Sequence, residues 1–170
     1  MSVRAVLSLG SNLGDRVGYV RAAISSLSDD PRTEVDAVSS LYETDPVGVA
    51  GQDRYVNAVV VVTTTRTPAQ LLGLAHELEA RAARLRPHRW APRTLDVDIV
   101  SVDDLVSDDP TLTLPHPRAH ERAFVLVPWL EIDPHAWLRG RGAVERLVAG
   151  LDTDGVRLLA SPRPGGVEAT

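Results

Sequence analysis

Two aspartates in the middle of the chain are spaced so that they could bind one cation together. Asp96 and Asp98 lie two residues apart in an apolar string, and in an extended strand alternate side chains share a face. The carboxylates then point one way, while Leu95, Val97 and Ile99 point toward a core. Aspartate is disfavoured in strands, and hard oxygen ligands suit Mg²⁺, which binds one or two carboxylates together with substrate phosphates. A metal site is therefore favoured over the alternative, the solvated face of an amphipathic strand.

An arginine-rich segment just ahead of these aspartates could bind phosphate. Five arginines fall between Arg81 and Arg93, with His88 and Trp90 among them. Guanidinium groups bind phosphate oxygens bidentately. The chain has no lysine, so a single arginine carries little information and only the cluster does. The alternative is a solvated basic loop, but long loops with an aromatic and several arginines are more often functional.

Three further groups could contribute to a site, and each has a structural alternative. Tyr55 and Asn57 share a face of a valine-rich strand and could stack on a flat heterocycle and pair with its edge, although ordinary packing is favoured for this pair alone. His116 stands between two prolines that fix its conformation, and phosphate contact and a structural role are equally supported. The segment 10–14 could cradle phosphate, but it lacks the Lys-Ser/Thr ending of a P-loop, so a plain turn before a helix is favoured.

The composition is that of an ordinary globular protein and excludes several classes. The 170 residues are 44% hydrophobic and 24% charged, which fits one domain with a sizeable core. A net charge of −5 argues against general nucleic-acid binding. The absence of cysteine excludes a disulfide framework and a thiolate metal site. No stretch has the length of a signal peptide or a membrane span, so we expect a cytoplasmic protein without a membrane partner.

Periodicity and turn signals predict an α+β fold. The predicted order is β-α-β-β-α-β, a ferredoxin-like core in which an antiparallel sheet carries helices on one face, followed by C-terminal additions. One domain is expected over residues 1–160, with a flexible tail at 161–170. Residues 43–53 and 84–92 are predicted to be long loops. The core elements are a strand from Val3 to Leu9, a helix from Asp15 to Leu27, a β-rich segment from Val35 to Tyr42, a strand from Tyr55 to Thr65, a helix opened by Pro68 and a strand from Thr94 to Val102.

The later part of the chain gives weaker signals. Short strands are predicted at Val106 and at Leu112 to Leu114, and a short helix is predicted near residues 118–122. The segment from Phe124 to Leu130 is apolar without a clear period. A weak helix over 143–151 and a strand over 156–159 follow.

In combination these pieces resemble the 6-hydroxymethyl-7,8-dihydropterin pyrophosphokinase family. The resemblance covers roughly Val3 to Pro134, and its strings occur in the family's order. The string Arg-Trp-x-Pro-Arg-Thr-Leu-Asp-Val-Asp-Ile is the most specific of them. The matching strings are LSLGSNLGD, SSLYETDPVG, RYVNAVV, RWAPRTLDVDI and LTLPHPRAHERAFVLVP.

The resemblance implies an activity and a set of roles. Diphosphate would pass from ATP to the hydroxymethyl oxygen of the pterin, with release of AMP, and two Mg²⁺ ions held by Asp96 and Asp98 would bridge the ATP phosphates. The implied catalytic residues are Arg84, Arg93, Asp96, Asp98 and His116. The implied pterin-binding residues are Thr44, Val47, Tyr55, Asn57, Trp90, Asp96, Arg122 and Phe124. The implied ATP-binding residues are Glu79, Arg84, Arg86, Trp90, Arg93, Ile99, Leu112, Thr113 and His116, with Arg89 assisting from the loop.

Two rival functions are consistent with parts of the pattern. A ferredoxin-like domain could bind RNA through arginines and aromatic rings, but the acidic net charge and the aromatic content of 4% argue against it. A different Mg²⁺-dependent nucleotide-using transferase would need another acceptor, whereas Tyr55, Asn57 and Phe124 favour a flat heterocycle. We expect ATP and the pterin as the partners, no nucleic acid, and a monomer. No residue is an obvious general base, and Asp98 or a metal-bound species is our hypothesis for that role.

Overall fold

In the part of the chain that the structure describes, six antiparallel strands form the sheet on which the rest of the molecule is built. The computed structural model describes residues 1–47, 51–84 and 94–161. Residues Ala119–Glu121 form a short 3₁₀ turn. In chain order the elements are β1 (Val3–Ser11), α1 (Arg16–Asp29), β2 (Thr33–Val38), β3 (Leu41–Thr44), β4 (Tyr55–Thr64), α2 (Pro68–Arg84), β5 (Asp96–Val102), β6 (Ser107–Asp109), β7 (Leu112–Leu114), α3 (Ala123–Ile132), β8 (Trp137–Leu138), β9 (Gly142–Ala143), α4 (Val144–Ala149) and β10 (Val156–Ala160).

The strand order of the sheet is β10-β3-β4-β1-β5, and β2 also pairs with β4. The two long strands β1 and β4 lie in the middle, and each has apolar side chains on both faces. In β4 the run Val59–Val62 is fully buried, as expected for a β-branched segment in a strand that is covered on both sides. The ferredoxin-like, antiparallel α+β core predicted from the sequence is confirmed.

Helices cover both faces of the sheet: the two helices of the predicted core lie on one face, as expected, and C-terminal elements cover the other. The side chains of α1 and α2 pack with Leu7, Leu9 and alternate residues of β4 in one apolar cluster. The opposite face, which includes Val6, Val59, Val61 and Val100, packs against α3 and α4. A sheet with two apolar faces must be covered twice, and the added C-terminal elements supply the second layer.

Several element boundaries differ from the expectation, and one difference matters for function. β1 continues through Ser11, so Gly10 lies in a strand and not in a turn. The segment from Val35 to Tyr42 is two strands, separated at Ser39 and Ser40. At this break Ser39 still binds the neighbouring strand β4: its hydroxyl accepts from Val59 N at 2.9 Å, and its backbone N–H donates to Val59 O at 2.9 Å.

Among the described residues no helix is long and apolar enough to span a membrane.

Candidate active site

Four residues form one row across the sheet, on the face that α3 covers. Tyr42 of β3 lies opposite Asn57 of β4, Asn57 lies opposite Gly10 of β1, and Gly10 lies opposite Asp96 of β5. Directly opposed residues share a face, so their side chains point to the same side. Asn57 and Asp96 are separated at the Cα level by about 10 Å, because neighbouring strands lie about 4.8 Å apart. The residue between them has no side chain, so the row has a gap in its middle.

Gly10 keeps this gap open, because Asn57 leans over it. A Cβ atom added at Gly10 would lie 2.5 Å from Asn57 Oδ1 and 3.8 Å from Tyr55 Cδ1. The first distance is far below a normal contact, and a glycine in a strand commonly marks such a close approach. The amide of Asn57 and the ring of Tyr55 therefore border the gap on the β4 side.

The amide of Asn57 is fixed by a buried partner. Its Nδ2 donates to Thr44 Oγ1 at 2.5 Å, and both side chains are buried. This hydrogen bond leaves Oδ1 directed over Gly10 as an acceptor, since each amide offers both donors and an acceptor. The site thus presents an oriented hydrogen-bonding edge to any flat ligand above Gly10.

Tyr55 links the β4 side of the gap to the carboxylates electrostatically. Burial raises the pKa of the Tyr55 phenol, and the negative charge of Asp96 adds to the increase. Tyr55 is therefore a neutral hydrogen-bond donor at physiological pH. An aromatic wall and a carboxylate lie on one side of the sheet, within electrostatic range of each other.

Arg122 connects the second carboxylate to a second aromatic ring. Its Nη1 lies 3.6 Å from Asp98 Oδ2, and its Cζ lies 5.6 Å from the centroid of the Phe124 ring. A guanidinium at this distance over an aromatic face is held by a cation–π interaction. Arg122 precedes α3, so this helix brings a cation and a ring to the carboxylate pair.

His116 is held in one orientation beside β5. Its backbone N–H donates to Val100 O at 2.8 Å, and its Nδ1 accepts from the backbone N–H of Arg118 at 3.2 Å. Burial lowers the pKa of His116, and the charges of Arg122 and Arg118 lower it further against the opposing effect of Asp98. The neutral imidazole then carries its proton on Nε2, which makes that nitrogen a donor.

Of the residues expected to bind ATP, those that the structure describes lie on or beside β5, which is an edge strand of the sheet. Glu79 of α2 accepts from Val97 N at 2.9 Å, which shows that the N–H of Val97 points away from β1. Backbone groups two residues along a strand point the same way, so those of Ile99 face this edge too, while the Ile99 side chain is buried in the core. Leu112 and Thr113 of β7 are half-buried beside this edge. A nucleotide at this edge could therefore contact the backbone of Ile99, whereas its side chain is not accessible.

The remaining expected residues are not brought into the site by the described structure. The side chain of Val47 is 78% exposed, and its expected contact with the pterin, through backbone groups, stays a prediction. The side chain of Arg84, at the end of α2, lies outside the described residues. The same holds for Arg86, Arg89, Trp90 and Arg93. The roles expected of these residues stay predictions.

The two carboxylates on β5 suit Mg²⁺ better than a metal whose ligands must all come from the protein. Asp96 and Asp98 are both half-buried and alternate on one face of β5. In the described part of the chain no cluster of three or more His, Cys, Asp or Glu side chains could hold a metal ion. Mg²⁺ keeps several waters and binds one or two carboxylates plus substrate phosphates. Two carboxylates next to an open edge meet that requirement.

Comparison with known families shows to which family the chain belongs. The model of the 7,8-dihydro-6-hydroxymethylpterin-pyrophosphokinase (HPPK) family matches residues 6–134, which include the whole row from Gly10 to Asp96 as well as His116, Arg122 and Phe124. The chain belongs to this family.

Curated relatives agree with this assignment. A 2-amino-4-hydroxy-6-hydroxymethyldihydropteridine pyrophosphokinase of Mycobacterium tuberculosis is 42% identical over 172 residues, which cover 92% of this chain and 89% of the relative. The protein of the same name from Bacillus subtilis is 43% identical over 128 residues, covering 75% of this chain and 77% of the relative.

Solved structures support the HPPK fold at much lower identity. The wild-type HPPK-DHPS of Plasmodium falciparum superposes with a TM-score of 0.68 at 14% identity over 88% of this chain. The chain spans 45% of the length of that protein. At this level of identity the likeness extends to the fold alone.

Sequence reasoning treated Gly10 as part of a turn and missed its place in the row that crosses the sheet. The string Gly-Ser-Asn predicts a turn, whereas the structure continues β1 through it. The signal that could have found it is a glycine at the end of an apolar strand, where a side chain would normally be expected. Tyr42 was missed as well: its hydroxyl donates to Glu131 of α3, which ties the row to the helix that carries Phe124.

Proposed function

We propose that this chain transfers diphosphate from ATP to the hydroxymethyl group of 6-hydroxymethyl-7,8-dihydropterin. The products would be AMP and the pterin diphosphate, an intermediate of tetrahydrofolate biosynthesis. Membership of the pyrophosphokinase family and relatives with that name over most of the chain support the reaction. One structural observation supports this reaction most directly: the side-chain gap at Gly10 lies between the oriented amide of Asn57 and the carboxylate pair of β5.

The β4 side of the gap suits the pterin. Asn57 Oδ1 is available to accept from a ring N–H because its Nδ2 is occupied by Thr44. The ring of Tyr55 borders the gap, and Phe124 lies under Arg122 at the start of α3. We propose that these two rings enclose the flat heterocycle, with Arg122 at its rim. Aromatic pairs stack on flat ligands in offset or edge arrangements that add to buried area.

The β5 side of the gap suits the triphosphate. We propose that Asp96 and Asp98 hold two Mg²⁺ ions, which when bound neutralise phosphate charge and orient the chain for in-line transfer. His116 would donate its Nε2–H to the α-phosphate region and stabilise the departing AMP. Arg84, Arg86, Arg89 and Arg93 would add phosphate contacts, and Trp90 would cover the site. Positioning and electrostatics account for most of the catalysis in phosphoryl-type transfers.

The acceptor hydroxyl must lose a proton as it attacks the phosphorus atom. We propose Asp98 as the base. Asp98 lies two residues after Asp96 in β5, and the two side chains are on the same face. The ion pair of Asp98 with Arg122 connects it to the side of the site where the pterin would lie. Arg122 would then hold the carboxylate in place while the proton moves.

We further propose that the enzyme acts as a monomer in the cytoplasm, with no nucleic-acid or membrane partner. The net charge of −5 argues against a nucleic-acid partner, and the absence of cysteine is compatible with a reducing compartment. Light scattering of the purified protein tests the oligomeric state, and a single species of about the chain's 18.4 kDa is the expected result.

Product analysis tests the proposed reaction. The protein is incubated with ATP, Mg²⁺ and 6-hydroxymethyl-7,8-dihydropterin, and the nucleotides are separated by chromatography. AMP and pterin diphosphate should form in equal amounts, and chelation of Mg²⁺ should stop their formation. Formation of ADP, or hydrolysis of ATP without a pterin product, would show that the proposal is wrong.

A further inference from the structure

The last strand of the molecule pairs with the part of the sheet that supports the pterin site. β10 lies beyond residue 134, where the family match ends, and it pairs with β3 in the register Val156 to Thr44 and Leu158 to Tyr42. The backbone N–H of Asp45 donates to Gly155 O at 3.0 Å. Without this partner β3 would be a four-residue edge strand with unpaired backbone groups. Thr44, which fixes the amide of Asn57, lies at the end of that strand.

Charged side chains extend this pairing across the base of the segment between Thr44 and Tyr55. Arg157 of β10 donates to Asp45 Oδ1 at 2.7 Å, and Arg54 Nε lies 3.3 Å from the same oxygen. Arg54 Nη1 lies 3.2 Å from Glu43 Oε1. Asp45 directly follows Thr44 and Arg54 directly precedes Tyr55, so the ion pairs join the two ends of this segment.

The network also reaches the first residue of α1. Arg16 Nη2 lies 3.3 Å from Glu43 Oε2, and Arg16 Nη1 donates to Arg54 O at 2.7 Å. Positive and negative groups alternate along the set Arg157, Asp45, Arg54, Glu43 and Arg16, which we call the charge chain. The alternation leaves neither carboxylate facing only one cation.

Exposure indicates that the charge chain acts on geometry more than on global stability. The side chains of Arg157 and Asp45 are 42% and 49% exposed, and ion pairs at such exposure contribute little to the stability of a fold. The hydrogen bond from Arg157 is the largest of the effects that hold the pKa of Asp45 below its usual value. The pair is thus well formed at neutral pH, although it adds little to the free energy of unfolding.

We infer that Arg157 is a positioning residue for the pterin site, acting through Asp45 and Arg54 on Thr44 and Tyr55. This inference rests on the proposed function, because it concerns the pterin end of the same site. Loss of the Arg157 contact would let Asp45 and Thr44 move relative to Arg54 and Tyr55. The amide of Asn57 and the ring of Tyr55 would then no longer be held at one spacing. The proposed nucleotide-binding edge is β5, which lies at the opposite edge of the sheet from β10, so ATP binding would not be affected.

Steady-state kinetics of Arg157→Ala in the full-length enzyme test the inference. The KM for the pterin should rise roughly threefold to fivefold, the upper part of the range expected for the loss of one exposed ion pair. The KM for ATP should stay within about twofold and the Tm within about 2 °C, since the pair is exposed. Arg157→Lys keeps the charge within reach of Asp45 and should restore most of the pterin affinity. Arg139→Ala, in the turn between β8 and β9, is the matched control and should leave both KM values unchanged.

A double-mutant cycle with Asp45→Asn provides the second measurement. Because both residues act through one contact, Arg157→Ala should add little to the pterin KM of Asp45→Asn. The inference is wrong if Arg157→Ala behaves like Arg139→Ala. It is also wrong if both KM values rise together with a fall in Tm, because that result indicates a purely structural role.

Direct pterin binding separates this inference from the proposed function. Pterin dissociation constants of the wild type and the variants are measured by fluorescence in the absence of turnover, and far-UV circular dichroism confirms that each variant is folded. A wild-type enzyme that binds pterin but makes no pterin diphosphate contradicts the proposed reaction. Equal pterin affinity of the wild type, Arg157→Ala and Asp45→Asn contradicts the positioning role.

Discussion

The proposed pterin site is wide enough for a ligand because Gly10 has no side chain. Gly10 lies between Asn57 and Asp96 in the sheet register, and the Asn57 amide occupies the space that a Cβ would need. Asn57 cannot easily yield, because it is buried and bonded to Thr44. A methyl group at residue 10 must therefore displace the amide that we propose as the pterin acceptor.

The variant Gly10→Ala should lose pterin affinity without losing its fold. We expect the pterin dissociation constant to rise roughly tenfold or more, because overpacking of a buried site forces the hydrogen-bonded amide out of position. ATP binding, measured separately by calorimetry, should change little.

Gly73→Ala is the matched control for this substitution. Gly73 lies in α2, and a Cβ there would meet nothing within 4 Å, so the change should be neutral or stabilise the helix by about 0.5–1 kcal/mol. Normal pterin binding by Gly10→Ala would contradict the proposed place of the ring.

An ion pair between Asp30 and Arg66 links the end of α1 to the start of α2, the two helices that cover one face of the sheet. Asp30 directly follows α1, and Arg66 lies two residues before α2. Arg66 Nε and Nη2 each donate to the carboxylate of Asp30 at 2.8 Å, and Thr33 Oγ1 donates to it at 2.6 Å. The Asp30 side chain is 6% exposed, so this bidentate pair is desolvated and well defined.

This pair predicts a pH-dependent contribution to stability. The hydrogen bonds from Arg66 hold the pKa of Asp30 far below its usual value, which means that the folded state favours the ionised carboxylate. The contribution is then fully present above the unfolded pKa of about 4 and is lost as the pH falls below it. Asp30→Asn should lower the free energy of unfolding by about 1–3 kcal/mol at pH 7. This destabilisation should become progressively smaller as the pH falls below about 4.

Urea unfolding at pH 7 and at acidic pH measures this difference. Asp29→Asn is the control, because it changes the same charge at an exposed neighbouring residue and should have a small effect at both pH values. A destabilisation of Asp30→Asn that does not shrink in acid would show that the pair does not act through ionisation.

The elements that depend on local patterns could be predicted from the sequence, and those that depend on distant contacts could not. β4 follows from its run of valines, and α2 follows from its period and from Pro68. α3 was missed because its residues are apolar on every side and include Pro128, so no helical period is visible. The break between β2 and β3 was missed because Ser40 bonds to Glu131, which lies 91 residues further along the chain.

The site as a whole shows the same division between local and distant information. The alternation of Asp96 with Asp98, and of Tyr55 with Asn57, correctly placed each pair on one face of its strand. The position of Gly10 between Asn57 and Asp96 could not be predicted, because it arises only from the register of three strands. The second layer of helices and the pairing of β10 with β3 also depend on long-range topology. Local sequence therefore predicted which face of its strand each pair occupies, whereas the gap between the pairs required the structure.

The central claim is that the pterin and the phosphates occupy opposite sides of the Gly10 gap, with Asp98 acting on the reaction and not on pterin binding. The most direct test measures pterin affinity by fluorescence and turnover by AMP release on the same sample of Asp98→Asn. We predict a pterin dissociation constant within about twofold of the wild type, and turnover reduced roughly a hundredfold or more. Full turnover of this variant with ATP binding intact, or loss of pterin binding in parallel with turnover, would contradict the account.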